Sequence, residues 1–311
     1  MTIPHLPRLL IAGILSIPAL LLLLSVAPFV ALLSIPSLTI LVRRKRSFSP
    51  ILPSMTSSGS YDSNHPLLHH AVITGGSSGI GLSVAIELAK RKCRHITLVA
   101  RREGQLQNAQ KLVREASSNA TKIHILSVDV TDFDTLQKKA AYLCTATEEN
   151  ASSKGTQSAN AGPPTLLFNC AGYAIPLSFA DLSPSDFAAQ VNANYLGSIH
   201  VVKAFLPYML GTQQPNRGNT VGGNIILTSS MCGQLGTYGY SAYAPTKFAL
   251  RGFAECMSME LDAAGKEANR VNISVCYPPD TKTPGYEVEN EKKPEACRLI
   301  SEGAGIWDPQ E

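Results

Sequence analysis

The sequence has few of the features that stabilise small proteins by metal ions or disulfides. Its seven cysteines are odd in number and form no Cys-x-x-Cys pair. A disulfide framework needs an even, dense set of cysteines in a short chain, and a zinc site needs its ligands in pairs. We therefore predict neither a disulfide scaffold nor a metal site.

Charged residues are also scarce, at 16% of the chain, and they are absent from Leu9 to Val42. A membrane-spanning helix needs about 20 apolar residues, so this stretch is long enough to cross a bilayer. The basic cluster Arg43–Arg46 follows directly and is expected on the cytoplasmic side of a membrane. No DNA- or RNA-binding motif accompanies the net charge of +4, so we predict a membrane as partner and no nucleic acid.

Prolines at 18, 28 and 36 interrupt the apolar stretch and leave two topologies open. One is a single tilted or kinked helix, and the other is a helical hairpin that turns near Pro28. Either topology leaves the rest of the chain in the cytosol. The predicted organisation is a membrane anchor with a basic flank over residues 1–46, a Ser-, Pro- and Gly-rich linker over 47–68, and a folded domain over 69–311.

Short, almost continuously apolar runs alternate with amphipathic helical patterns after the linker. Such runs are typical of parallel strands that are covered on both faces, and repeated strand–helix units predict an α/β fold with a doubly wound parallel sheet. The predicted strands are Ala71–Thr74, Ile96–Ala100, Ile123–Val128, Thr165–Asn169, Asn224–Thr228 and Val271–Cys276.

A glycine-rich loop follows the first predicted strand and opens into a helix. Its glycines allow a tight turn and a close approach to a pyrophosphate, whose charge is met by the amides of the helix N-terminus. The strand–loop–helix context makes this a strong indication of dinucleotide binding. The candidate cofactor-binding residues in the loop are Gly75, Ser77, Ser78, Gly79, Ile80 and Gly81.

The end of the second predicted strand indicates which dinucleotide is bound. NAD-binding domains usually place an acidic residue there for the ribose 2′-hydroxyl, whereas this chain has Arg101 and Arg102. A guanidinium pairs with a 2′-phosphate, so NADPH is favoured over NADH. Further candidate cofactor contacts lie after the third strand, where Asp129 and Val130 face the adenine, and after the fourth, at Asn169, Ala171 and Gly172.

Three residues after the fifth predicted strand form a candidate catalytic set. Ser230 ends the strand, and Tyr243 and Lys247 are four residues apart, which places them on one face of a helix. A free tyrosine titrates near pH 10, too high for efficient proton exchange at neutral pH. We therefore expect the lysine charge to lower the pKa of Tyr243, which protonates a carbonyl oxygen that Ser230 binds.

The glycine loop and this catalytic set resemble the classical short-chain dehydrogenases/reductases over roughly residues 69–311. The resemblance implies that Tyr243 and Lys247 also bind the cofactor, with further contacts at Pro278 and Thr281. The family's catalytic Asn lies in Asn-x-x-Gly and matches Asn194; Asn192 lacks the glycine three positions on. In the family this Asn supports a water-linked proton relay to the lysine. The resemblance also implies a possible homodimer, paired through the helices that carry Asn194 and Tyr243, and a C-terminal strand for which this sequence has no candidate.

The segment after the sixth predicted strand bears on the substrate. Pro278–Gly285 reads Pro-Pro-Asp-Thr-x-Thr-Pro-Gly and resembles the subfamily of 3-ketodihydrosphingosine reductases, although Lys282 stands where that subfamily would have an acid. This resemblance implies a long-chain sphingoid lipid substrate, with NADPH-dependent reduction of 3-ketosphinganine to sphinganine at the cytosolic face of the endoplasmic reticulum membrane. Two alternatives remain: a membrane-bound reductase of steroids, retinoids or 3-ketoacyl chains, and a truncated relative that binds cofactor without turnover.

Overall fold

The computed structural model describes residues 68–117, 121–145, 161–213, 222–265 and 271–309. The predicted membrane anchor at residues 1–46 lies outside these ranges, and so does the predicted linker except for Leu68. Across the described ranges, no helix is both long enough and apolar enough to span a membrane.

Six strands form one parallel sheet in the order β3-β2-β1-β4-β5-β6. Each predicted strand is found, with its ends displaced by at most one residue, and the predicted doubly wound α/β fold is confirmed. The strands are β1 (His70–Thr74), β2 (His95–Ala100), β3 (Lys122–Ser127), β4 (Leu166–Asn169), β5 (Gly223–Thr228) and β6 (Val271–Cys276).

Helices connect the strands and cover the sheet. The α-helices are α1 (Gly79–Lys90), α2 (Glu103–Ala116), α3 (Phe133–Thr145), α4 (Pro184–Gln190), α5 (Gly197–Met209), α6 (Ala244–Ala263), α7 (Pro284–Lys292) and α8 (Glu295–Ala304). A π-helical turn, Val191–Leu196, joins α4 to α5, and a short 3₁₀ helix, Met231–Gly233, follows β5.

The core lies between the sheet and its helices. Val72 of β1, Leu167 of β4 and Ile225 of β5 are fully buried and belong to the same apolar cluster as Leu136 of α3 and Phe205 of α5. Burying such a side chain contributes roughly 1.5–3 kcal/mol. The alternating strand and helix patterns therefore bury the central strands against the helices that cover them.

The strand order changes direction between β1 and β4. Neighbouring loops leave the sheet in opposite directions at such a point and open a crevice at the carboxyl ends of the strands. β6 is an edge of the sheet, and within the described ranges no strand follows it; Thr281 instead forms an isolated parallel bridge with Trp307. The crevice is where the predicted site residues meet.

Candidate active site

A cavity of about 1060 Å³ opens at the carboxyl ends of the strands. Its size is at the upper end of the ~300–1,000 Å³ range of ligand pockets, as a site for a large ligand such as a dinucleotide requires. All but two of the predicted site residues line it. The exceptions, Asn169 and Asn194, are buried behind its wall.

The glycine-rich loop lines the cavity, and its geometry requires glycine. Gly75 has φ of +66°, and a Cβ on Gly81 would lie 2.5 Å from the carbonyl oxygen of Gly75. The side chain of Ser78, the N-cap of α1, makes no capping hydrogen bond to the first turn of the helix. The residues of that first turn line the cavity. Such a cradle at a helix N-terminus fits the pyrophosphate of a dinucleotide.

Thr74 and Asn169 hold the glycine loop against the end of β4. The hydroxyl of Thr74 donates to Oδ1 of Asn169 over 3.0 Å and accepts from the amides of Cys170 and Ala171. The amide of Asn169 donates to the carbonyl oxygen of Ser198 in α5. Asn169, predicted to contact the cofactor, is therefore a structural link that positions the residues after it.

Arg101 and Arg102 lie at the end of β2, exposed and on the rim of the cavity. A guanidinium nitrogen of Arg101 is 3.7 Å from Oδ2 of Asp129, whose other oxygen accepts from the amide and hydroxyl of Thr131. This exposed pair contributes little to stability. It does bring together the residues predicted to contact the ribose and the adenine.

Lys247 lies at the bottom of the cavity, 5% exposed. Its ammonium group donates to the carbonyl oxygen of Thr228 over 2.8 Å and lies 5.4 Å from the centre of the Tyr243 ring. Burial, the largest cause, lowers the pKa of Lys247 from 10.5 to about 8. The lysine therefore remains a cation at neutral pH, close to the point where it loses its proton.

Ser230 and Tyr243 face each other at the same end of the cavity. Burial raises the pKa of Tyr243 above its ordinary value, and a hydrogen bond with Ser230 lowers it only in part. The prediction that Lys247 lowers the pKa of Tyr243 is wrong for this structure, because loss of water around the phenol, followed by the charge of Glu289, raises the pKa. Tyr243 is consequently protonated at neutral pH and is an acid with a proton to give.

Asn194 is completely buried in the π-helical turn. Its side-chain amide donates to the carbonyl oxygen of Tyr173 over 2.9 Å, and its Oδ1 accepts from the amide of Tyr173 over the same distance. A Cβ built on Gly172 would lie 2.7 Å from Oδ1 of Asn194 and 3.6 Å from Nζ of Lys247. Asn194 is thus next to the lysine, as its predicted role requires, and π turns of this kind often occur at functional sites.

Part of the cavity wall was not predicted from the sequence. Tyr240, Asp280 and Glu289 line it beyond Tyr243. Glu289 is four residues before Lys293, and the two form an ion pair with nitrogen and oxygen 3.5 Å apart. The i, i+4 spacing of an acid and a lysine was the one sequence signal for this pair, but the same spacing is common on exposed helices.

Comparisons with known proteins agree with this fold. A family described as short chain dehydrogenase matches residues 69–294. The 3-ketodihydrosphingosine reductase of Bos taurus is 38% identical over 244 residues, which are 78% of this chain and 65% of that protein. The 3-dehydrosphinganine reductase of Danio rerio is 36% identical with the same coverage. The matched region thus spans just under two thirds of the length of these relatives.

Solved structures share the architecture. An alcohol dehydrogenase from the archaeon Thermococcus sibiricus, complexed with 5-hydroxy-NADP, has a TM-score of 0.57 at 20% identity and covers 78% of this chain and 85% of its own. A short chain dehydrogenase/reductase from Burkholderia phymatum in complex with NAD has a TM-score of 0.56 at 26% identity, with 73% and 70% covered. The protein described here belongs to the short chain dehydrogenase family.

Proposed function

We propose that the protein reduces 3-ketosphinganine to sphinganine with NADPH, a step of sphingolipid biosynthesis. The observation that carries the proposal is that Ser230, Tyr243 and buried Lys247 line the same cavity as the glycine-rich loop. The names of the Bos taurus and Danio rerio relatives support the substrate.

The cavity offers a place for each part of NADPH. The glycine loop and the N-terminus of α1 would hold the pyrophosphate, and Arg101 and Arg102 would pair with the 2′-phosphate. Asp129 and Val130 would pack against the adenine, and the backbone near Pro278 and Thr281, which also lines the cavity, would border the nicotinamide. When bound, the nicotinamide supplies the hydride for the reduction.

The residues of the chain supply the proton and stabilise the phenolate that its transfer leaves behind. Ser230 donates a hydrogen bond to the ketone oxygen, and Tyr243 transfers its phenolic proton to that oxygen as the alkoxide develops. The O–H bond of the alcohol forms while the phenolic O–H bond breaks. The phenolate left behind is stabilised by the Lys247 ammonium and by Ser230, since charges act strongly where water is excluded. Asn194 holds the loop at Tyr173 and borders Lys247.

The experiment that tests the proposal is NADPH consumption by the 311-residue chain in detergent, with 3-ketosphinganine as substrate. Tyr243→Phe should reduce turnover at least ~10²-fold, because it removes the proton donor. Tyr142→Phe, on the surface of α3 and outside the cavity, is the matched control. Turnover of only another lipid ketone would change the substrate. NADPH binding without turnover of any ketone would identify a relative that binds cofactor without catalysis.

Membrane attachment is also part of the proposal. The uncharged stretch Leu9–Val42 and the basic cluster Arg43–Arg46 favour an anchor in the endoplasmic reticulum membrane with the reductase domain in the cytosol. An anchored enzyme can act on a lipid whose alkyl tail stays in the bilayer. Alkaline carbonate extraction and protease protection of a C-terminal tag on sealed microsomes test this: release by carbonate excludes a spanning anchor, and a protected tag excludes a cytosolic domain.

A homodimer paired through the helices of Asn194 and Tyr243 is proposed as well. The described surface supports it, because the π turn exposes Val191 and Leu196 and α6 exposes Phe248 and Met259, the last with 59% of its surface accessible. Light scattering in detergent tests this, with Met259→Lys expected to shift a dimer towards monomer. A wild-type monomer would exclude the proposal.

A further inference from the structure

A buried polar cluster adjoins the catalytic end of the cavity. At its centre is Lys293, whose side chain is 0% exposed. Its ammonium nitrogen lies 3.6 Å from Oδ2 of Asp280 and 3.5 Å from Oε1 of Glu289, and donates to the hydroxyl of Ser301 over 3.0 Å. Tyr240 donates its phenolic hydrogen to Glu289. Two carboxylates thus share one cation.

The charges in this cluster do not cancel. Burial is the largest cause that raises the pKa of Glu289, and the carboxylate of Asp280 also raises it, whereas Tyr240 and Lys293 lower it. The nearby Arg298 does not reach the carboxylates, because its guanidinium donates to the carbonyl oxygens of Lys293 and Asn290. A second cation between Asp280 and Glu289 would relieve their repulsion.

The position of the cluster relates it to the reaction. Asp280 and Glu289 both line the cavity, as does Tyr243. The ring of Tyr240, which binds Glu289, is 5.8 Å from the ring of Tyr243 between centres. The carboxylate of Glu289 is also close enough to Tyr243 to raise the pKa of its phenol, so a group bound by the carboxylates lies near the residue that delivers the proton.

We propose that Asp280 and Glu289 form a subsite for the ammonium group of an amino ketone, an inference that rests on the proposed function and deepens it. In 3-ketosphinganine the carbon that bears the amine is bonded directly to the carbonyl carbon. An ammonium group held by these carboxylates would bring the ketone oxygen towards Ser230 and Tyr243. Lys293 is a positioning residue that holds both carboxylates at the cavity wall. The subsite selects amino ketones over steroids, retinoids and other neutral ketones of similar apolar area.

Selectivity between two ketones tests the subsite. The substrates are 3-ketosphinganine and its desamino analogue, which keeps the ketone, hydroxyl and alkyl chain but lacks the amine. Wild-type enzyme should favour the amine in kcat/KM, and Asp280→Asn and Glu289→Gln should each lower this preference roughly ten- to hundredfold, the range for a hydrogen bond to a charged group. The loss should fall mainly on KM, because the ammonium is bound before and during the transition state. Glu291→Gln is the control, since Glu291 is exposed and lines no part of the cavity.

The outcomes separate this inference from the proposed function. Wild-type enzyme that reduces neither ketone overturns the proposed function. Two results with an active wild-type enzyme overturn the subsite alone. In one, neither variant changes the preference for the amine; in the other, the variants lower kcat/KM equally for both ketones. Binding of NADPH to each variant, followed by fluorescence, shows that it is folded; Glu289→Gln keeps an acceptor for Tyr240 if Asp280→Asn fails to fold. A measurement without variants is also decisive: a long-chain alkylamine should compete with the ketone, and the matching alcohol should compete at least tenfold more weakly.

Discussion

The ammonium nitrogen of Lys247 lies 2.8 Å from the carbonyl oxygen of Thr228, the last residue of β5. The next residue, Ser229, donates its hydroxyl hydrogen to the backbone carbonyl of Lys247 over 2.9 Å. The lysine is therefore tied at both its tip and its backbone to the end of one strand, two residues before Ser230. Thus β5 aligns the residue that binds the ketone with the cation that stabilises the phenolate.

This tie predicts a specific pH dependence. Burial lowers the pKa of Lys247 to about 8, so the ammonium form that stabilises the phenolate is lost as pH rises through that value. We expect kcat/KM for NADPH, which reports groups of the free enzyme, to be level near neutrality and to fall above about pH 8. Lys203→Met, an exposed lysine of α5, should leave this profile unchanged. A level profile through pH 10 would contradict the assignment.

The sequence predicted those features that depend on local pattern. The strand limits followed from apolar runs, and the glycine loop followed from its spacing between a strand and a helix. Tyr243 and Lys247 were placed together because i and i+4 share a helix face. Each of these inferences depends only on residues close together in the sequence, and each agrees with the structure.

Features that depend on distant contacts were not predicted. The sign of the Tyr243 pKa shift is set by how much water the assembled cavity removes, which no local spacing encodes. The hydrogen bond between Asn169 and Thr74, 95 residues earlier in the chain, had no signal in the local pattern. The cluster around Lys293 combines residues after β6 with Tyr240, and no motif marked it. These three features depend on contacts between residues that are far apart in the sequence, which no sequence motif encodes.

The two asparagines of the π turn provide a second prediction. Asn194→Ala removes the side chain that bonds the amide and carbonyl of Tyr173, and each of these hydrogen bonds contributes roughly 0.5–1.5 kcal/mol. We expect a lower melting temperature together with a loss of kcat. Asn192→Ala is the matched control, because Asn192 is exposed two residues earlier. Equal effects of the two substitutions would show that the Asn-x-x-Gly match selected the wrong asparagine.

Cofactor preference provides a third prediction. Arg102 is exposed at the cavity rim and is not part of the Arg101–Asp129 pair. If it pairs with the 2′-phosphate, Arg102→Ala should lower kcat/KM for NADPH roughly ten- to hundredfold and change the value for NADH little. The ratio of the two values is the measurement, and Arg114→Ala, on the exposed face of α2, is the control. A variant that loses both cofactors equally would exclude recognition of the 2′-phosphate by Arg102.

Two histidines in the amino-terminal halves of β2 and β3 predict how the fold responds to acid. Nδ1 of His95 lies 3.1 Å from Nε2 of His124, and the two rings stack with an angle of 10° between their planes. Burial, as the largest cause, lowers the pKa of both from 6.5 to about 4. The unfolded chain therefore binds more protons than the folded one below pH 6.5, so stability is lost as pH falls from 6.5 towards 4.

Urea unfolding at a series of pH values measures this loss. In the wild type the free energy of unfolding should fall between pH 6.5 and about pH 4, by roughly 1–3 kcal/mol for the pair. His124→Leu removes one titrating ring and the repulsion between two cations, so its stability should fall less over the same interval. His200→Gln, on α5 and outside the pair, should show the wild-type slope because the two stacked rings remain. If His124→Leu and the wild type lose the same free energy of unfolding over this interval, the ring of His124 contributes nothing to the acid response. Other groups would then cause it.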